Sequence, residues 1–466
     1  MNACVRSLQY ILRSSFLLLI LVFSIPRNAV SQTPVFIPAV PDVSLLNTLS
    51  KKFEKLYTEE VASVPTKNRK EFEEIYKERW DNVKEKFDKK EIYTSSPAQE
   101  YLDALTAEIV KANPLLHNNA FSCYFSRSGV PNASYIGEGV ILFNMGLFKK
   151  LDNESQVIFI LCHELAHFYL KHSENSINKY VLTMNSDEVQ KELRNIKQSN
   201  YRKREQLDKL VKGLTFSSHR HSRDHESEAD SMAIELMHNT RFDISQSLST
   251  LALLDSIDVD TLNTGTMLGK IFNAKEYPFQ KRWIAREEGL LGGHAELKED
   301  EPIADSLKTH PDCQLRIKQV APMINRYRTV AAIKNAVNET RFGELKTTFE
   351  YEVIEYAYEL NNYSKSFFYT LSLLQLRQSD PYLVTNIGRI LNGFYHAQKS
   401  HNLSKFTDLP APYHPSNYNL LLQFIQNLYP ENFASLSFHF LKSYSPALGN
   451  HTPFKSAYNT SIQITQ

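Results

Sequence analysis

The apolar residues between positions 153 and 168 recur at helical spacing. They are Val157, Ile158, Ile160, Leu161, Leu165 and Phe168. Residues three and four apart share one face of a helix. Asn153, followed three residues later by Gln156, is typical of a capping box at a helix start. The pattern therefore predicts an apolar, largely buried helix over this segment.

The chain outside this helix also carries mainly helical patterns. Residues 51–90 and 186–212 mix charged residues with apolar residues at helical spacing, which predicts amphipathic helices. Beyond residue 325 we expect successive helices at 345–361, 364–378, 381–398 and 415–429, with Pro381 opening the third. The second and third of these resemble a tetratricopeptide hairpin, but no clear period supports repeats. A generic helical C-terminal domain is an equal alternative.

Only one segment has a clear strand pattern. Two glycines, Gly137 and Gly139, are followed by a run of β-branched and aromatic residues up to Phe143. The chain is therefore predicted to be mostly α with a small β-sheet, in the α+β class. We divide it into residues 1–31, an N-terminal helical segment 32–92 that packs on the next domain, a central domain 93–325, and a helical C-terminal domain 326–466.

The N-terminus has the layout of a secretory signal peptide. Arg6 and Arg13 precede the apolar run 16–25, and the small residues of 29–31 come before Gln32. The run is shorter than the ~20 apolar residues that a membrane span needs, and no later stretch approaches that length. An uncleaved anchor is the minority alternative. We expect export, to the periplasm if the host is bacterial or otherwise to the extracellular space.

Composition narrows the choice of function. The chain has 466 residues, 42% of them hydrophobic, and a formal net charge of +1. A chain of this length and apolar content can bury more than one hydrophobic core. Its near-zero net charge gives no overall positive potential that would attract nucleic acid or anionic membranes. Loss of residues 1–31 leaves Cys123, Cys162 and Cys313, so at most one internal disulfide can form. Cys162 fits an inert buried thiol better than a metal ligand.

The candidate chemistry lies on the predicted buried helix. His163-Glu164-Leu165-Ala166-His167 places two imidazoles four residues apart. On one helix face, this spacing lets both rings bind a single Zn²⁺, while the glutamate between them can take a proton from water. The pattern is typical of a zinc peptidase.

A catalytic zinc normally has three protein ligands, so a third must lie elsewhere. The metzincin pattern fails because positions 170 and 173 are Leu and Ser. Glu226 and Asp230, one turn apart on a second predicted helix, are the best candidates: one binds the metal and the other accepts a hydrogen bond from an imidazole. Glu228 fits a solvated acid. Surface positions are favoured over a second metal site for His172, His219, His221 and His225.

These residues resemble a known family. Three features are similar to the gluzincin zinc metallopeptidases, the family of HtpX, the CAAX prenyl endopeptidases and BepA. They are the segment 132–147, the spacing of Arg223, Glu226, Ala229 and Asp230, and a later Thr309-His310-Pro311 with Arg316-Ile317. The resemblance covers roughly residues 95–320. It implies a zincin-type domain there.

The resemblance also implies roles for particular residues. His163, His167 and Glu226 would hold one Zn²⁺ per chain, Glu164 would be the general base toward a zinc-activated water, and Asp230 would support a ligand imidazole. An edge strand that pairs with an extended substrate would contain Gly139, Val140, Ile141, Leu142 and Phe143. His310 is either a loop residue or a plug near the metal. Arg316 either orients substrate or, as we favour, pairs with an acidic residue.

Within that family, the absence of a spanning run favours the soluble periplasmic branch of BepA over the membrane enzymes. The segment 173–222 is either a lid over the cleft or a solvated helical arm. We expect an exported zinc endopeptidase that hydrolyses unfolded or misassembled envelope proteins. Its partners would be protein or peptide substrates and an assembly partner at the C-terminal helices, with no nucleic acid. The alternative is a chaperone-like binding protein whose metal site is occluded or vestigial.

Overall fold

Helices and one small sheet make up the chain, which confirms the predicted α+β class with mostly helical content. The computed structural model describes residues 35–137, 139–199, 202–257, 259, 262–285, 313–327 and 332–466. The predicted signal peptide and His310 lie outside the described residues. Among the described helices, none combines the length and apolar character that crossing a membrane requires.

The first two described helices pack against the sheet. Helix α1 is Val43–Ser63, capped by the side chain of Asp42, and α2 is Arg69–Asp88. Phe53 and Trp80 belong to a buried cluster that also contains Val140 and Leu142 of the sheet. Burial of such large side chains stabilises a fold by roughly 1.5–3 kcal/mol each. These helices are thus held by the apolar face of the sheet. Helix α3, Ser96–Ala112, follows them.

The sheet has three strands: β1 is Ser122–Ser126, β2 is Ala133–Gly137 and β3 is Val140–Asn144. The order is β1-β3-β2, with β3 parallel to β1 and antiparallel to β2. Strand β3 therefore has a partner along both sides. Gly137 and Gly139 both adopt positive φ in the connection between β2 and β3, a conformation that favours glycine.

The prediction that residues 139–143 form an edge strand is therefore wrong. The central strand β3 contains Val140, Ile141, Leu142 and Phe143, and Gly139 directly precedes it. The backbone of these residues is therefore not free to pair with a substrate. The side chains of residues 140–143 are at most 1% exposed. A continuous apolar run is typical of a strand that is buried on both faces. The edges of the sheet are β1 and β2.

A short helix, α4, Met145–Phe148, comes directly after β3 and holds a glycine in close contact with another loop. A Cβ atom added to Gly146 would collide with the backbone carbonyl of Gly129. Backbone atoms cannot move aside as a flexible side chain can, so this site tolerates no larger residue.

Replacing Gly146 with alanine should destabilise the protein by about 1–3 kcal/mol, since the collision forces a backbone shift. Gly343, within the helix 339–359, is the matched control because a Cβ there would have no atom within 4 Å. Gly343→Ala should stabilise by about 0.5–1 kcal/mol, the helix propensity difference. Urea unfolding of both variants measures the difference; equal midpoints would contradict the proposed collision.

The middle of the chain is helical. The predicted catalytic helix is present as α5, with the side chain of Asn153 accepting from the backbone N–H of Gln156. The predicted amphipathic helix 186–212 is divided between α7 and the first part of α8, which continues as one long helix through Glu226 and Asp230. The bounds are α5 Glu154–Tyr169, α6 His172–Met184, α7 Asp187–Gln198, α8 Lys203–His238, α9 Gln246–Asp255, α10 Thr264–Ile271 and α11 Cys313–Tyr327.

Six helices form the C-terminal part of the described chain. The four that the sequence predicted there are present with shifted ends, Pro381 opens its helix as expected, and two more follow at the C-terminus. Their bounds are α12 Glu339–Glu359, α13 Tyr363–Leu374, α14 Pro381–Lys399, α15 Ser416–Gln426, α16 Pro430–Leu448 and α17 Thr452–Thr465.

Two buried charged contacts join this C-terminal part to the sheet and to α5. Arg127, which follows β1 and is 1% exposed, pairs with Glu352 and Glu359 of α12. Glu154, the first residue of α5, accepts hydrogen bonds from the backbone just before α12. Residues Pro38–Gln466 accordingly form one compact unit.

Candidate metal centre

Three side chains from two helices converge beside the sheet. His163 and His167 lie one turn apart on α5, and Glu226 reaches them from α8. The Nε2 atoms of the two histidines are 3.0 Å apart. Oε1 of Glu226 lies 3.2 Å from Nε2 of His167, and Oε2 lies 3.4 Å from Nε2 of His163. The structure thus brings together the three ligands that the sequence predicted.

This donor set fits zinc. Ligand atoms about 2.0–2.1 Å from a tetrahedral zinc lie about 3.3 Å from one another, which is close to the separations found here. Two imidazole nitrogens and one carboxylate oxygen match the ligands of catalytic zinc sites, which keep a fourth position for water or substrate. Within the described residues, no other group of this kind is found.

Asp230 lies behind the first histidine. Its Oδ1 atom is 2.9 Å from Nδ1 of His163, although the contact lacks the alignment of a good hydrogen bond. Arg316 of α11 donates to both Asp230 oxygens, each over 2.7 Å, and Nη1 of Arg316 lies 3.0 Å from Glu226. Arg316 therefore pairs with acidic residues, as the sequence favoured. A buried, bidentate arginine holds this carboxylate in place.

The charges around Glu226 keep it ionised. Burial by itself would raise the pKa of this carboxyl, but the hydrogen bonds with His163 and His167 and the positive charge of Arg316 together hold the pKa well below its usual value. The same balance lowers the pKa of Asp230, where burial is opposed mainly by the hydrogen bond from Arg316. Both carboxylates are therefore available as anions to a cation at this site.

Glu164 lies between the two histidines on α5 and contacts strand β2 of the sheet. Its carboxylate is buried and its Oε2 atom accepts a hydrogen bond from the backbone N–H of Tyr135 over 2.8 Å. Burial raises the pKa of Glu164, while His163, His167 and the Tyr135 N–H oppose that rise. Tyr135 belongs to β2, so the edge strand and the candidate base are in direct contact.

His172 is a site residue that the sequence prediction missed. We expected a surface histidine, but it is only 4% exposed. Its Nδ1 atom lies 2.9 Å from Nδ1 of His167, and its Nε2 atom lies 3.1 Å from Oε2 of Glu228. Glu228 was expected to be only solvated, and it has this contact as well. His225 stacks on the His172 ring at 4.2 Å. Lys171 adopts a positive φ between α5 and α6, and no spacing in the sequence predicts this break.

The cysteines stay outside the metal centre. Cys123, Cys162 and Cys313 are buried and free of disulfide bonds. Burial raises the pKa of Cys162 above its usual value and that of Cys123 to about 12. A protonated, buried thiol is a poor metal ligand and a poor nucleophile. Cys162 next to His163 is consistent with a packing role.

One known family model matches the segment that contains the site. The family model described as peptidase family M48 matches residues 96–324, which contain the sheet, α5, α8 and Arg316. Among curated proteins, none matches the chain. The matched segment contains each residue of the metal centre described above.

Proposed function

We propose that this chain is an exported zinc endopeptidase acting on unfolded or misassembled envelope proteins. The match of residues 96–324 to peptidase family M48 supports a metallopeptidase. One observation carries the proposal: His163, His167 and Glu226 present three donor atoms at zinc spacing, and Glu164 lies on the same helix beside them. Three ligands and a nearby carboxylate base are the central groups of a one-zinc hydrolytic site.

Each residue has a definite part in the proposed reaction. Zinc, when bound, polarises the scissile carbonyl and makes water acidic. Glu164 takes the proton from the attacking water and returns it to the leaving amine. Asp230 and Arg316 hold His163 and Glu226.

The edge strand β2 supports an extended substrate. Among the described strands it pairs only with β3, and the N–H of Tyr135 donates to Glu164. A peptide that pairs with β2 by main-chain hydrogen bonds would run past the metal centre. Main-chain pairing requires an extended segment and places few requirements on the side chains of that segment. Unfolded segments meet this demand, whereas most folded surfaces do not.

The finer parts of the proposal rest on the sequence. Export and a periplasmic or extracellular place of action rest on the signal pattern of residues 1–31. A role in protein quality control, similar to that of the BepA branch, fits a soluble exported peptidase. The helices α12 to α17 would recruit substrate or an assembly partner. A chaperone-like protein with a vestigial metal site is the competing proposal.

Metal removal on the purified protein tests the proposed activity. We expect about one zinc per chain by elemental analysis, loss of cleavage after treatment with a chelator, and recovery when zinc is added back. The substrate should be a disulfide-bonded test protein, offered either native or reduced and alkylated. Only the unfolded form should be cut. Cleavage by fully demetallated protein would refute the mechanism, and a metal-free, inactive parent would favour the binding protein.

A further inference from the structure

A chain of three side chains leads from the metal centre to the surface. It begins at His167, passes through His172 at the start of α6, and ends at Glu228 of α8. The middle ring is buried, whereas the Glu228 side chain is 62% exposed. None of the chemistry proposed above uses His172 or Glu228.

The order of hydrogen bonds in this chain follows from the metal ligand. His167 faces Glu226 and His163 through Nε2, so binding a cation there leaves the proton of the neutral ring on Nδ1. The Nδ1 atom of His172, 2.9 Å away, must then accept that proton's hydrogen bond. His172 consequently carries its own proton on Nε2 and donates it to the Glu228 carboxylate over 3.1 Å.

We propose that His172 is a positioning residue that fixes the ring of His167 for metal binding, with Glu228 and the stacked ring of His225 fixing His172 in turn. This inference rests on the proposed zinc site. The rings of His172 and His225 are nearly parallel, at 7° and 4.2 Å, which limits rotation of the middle ring. A hydrogen-bond acceptor behind a ligand histidine fixes its tautomer and orientation.

The two ligand histidines are thus supported differently. His163 is backed by Asp230, which is 1% exposed and clamped by Arg316. His167 is backed by a neutral ring whose final partner, Glu228, meets solvent. Replacing His172 leaves the contact between Asp230 and His163 intact. The effect of the replacement on metal binding can therefore be measured separately from unfolding of the site.

His172→Phe should weaken zinc binding by about 10–100-fold, the usual effect of losing a partner behind a metal ligand. Phenylalanine keeps the ring and its stacking on His225 but has no acceptor atom. His172→Asn places a carbonyl oxygen near the former Nδ1, so zinc affinity should return to within about threefold of the parent. Competition with a chromophoric chelator measures affinity, and the visible spectrum of the Co²⁺-loaded protein reports ligand geometry.

Matched variants separate positioning from stability. His238 also lies on a ring stack, with Tyr327 at 4.3 Å, so His238→Phe should leave zinc affinity unchanged. Glu228→Ala should weaken zinc binding several-fold, whereas Ala at the exposed Glu235 of the same helix should not. Thermal unfolding of the metal-free variants measures their stability.

The outcomes are distinct. Parent-like zinc affinity and Co²⁺ spectrum in folded His172→Phe would overturn the positioning role, as would a His172→Asn variant as weak as the phenylalanine one. If His172→Phe does not fold, Glu228→Ala is the deciding variant. Parent-like zinc affinity in Glu228→Ala would overturn the proposed series of hydrogen bonds. Failure of the parent to bind zinc would instead refute the proposed function.

Discussion

The Glu164→Gln variant should bind zinc as the parent does and lose about 10²–10⁴-fold in peptide hydrolysis, the contribution of a well-placed general base. Glutamine has nearly the same shape, and its carbonyl oxygen can still accept from the Tyr135 N–H that now contacts Glu164. It cannot take a proton from water. Since Glu164 is not among the three donor atoms, the metal content should stay near one per chain.

The measurement is single-turnover cleavage of an unfolded substrate, together with elemental analysis of the same sample. Glu192→Gln, an exposed carboxylate of α7, is the control for the general effect of losing one negative charge. The control should retain full activity. If Glu164→Gln cleaved at more than about a tenth of the parent rate while holding zinc, a general-base role for this residue would have to be abandoned.

Glu154→Gln should destabilise the protein by about 3 kcal/mol, because hydrogen bonds to a charged group contribute roughly 1.5–3 kcal/mol each. Oε2 of Glu154 accepts from the backbone N–H groups of Ala336 and Val337, and Oε1 accepts from the N–H of Asn338 and the hydroxyl of Tyr101. Every neighbour of this carboxylate is a donor. An amide NH₂ in place of either oxygen would face donors in a site with no exposure to water.

Chemical denaturation and circular dichroism measure this loss. Glu78→Gln, an exposed carboxylate within α2, is the matched control and should change stability by less than about 0.5 kcal/mol. Because Glu154 opens the catalytic helix, the variant should also lose activity at a lower temperature than the parent. Equal denaturation midpoints for the two variants would show that the Glu154 contacts carry no net stability.

Those parts of the site that lie within one helix were predictable from the local pattern of residues. A helical repeat places His163 and His167 on one face, and it does the same for Glu226 and Asp230, whatever the rest of the fold does. The apolar stripe of α5, its cap at Asn153 and the opening of α14 at Pro381 were predicted for the same local reason. These patterns also sufficed for the fold class.

The contacts between separate elements required the folded structure. The apolar run of β3 is equally compatible with an edge or a central strand until the pairings of β1 and β2 are known, and the predicted substrate edge failed for that reason. Lys171 has a positive φ between α5 and α6, where His172 contacts His167. Arg316, 90 residues beyond Glu226, pairs with Glu226 and Asp230 of α8. Contacts between distant segments depend on packing, which helical and strand periodicities do not encode.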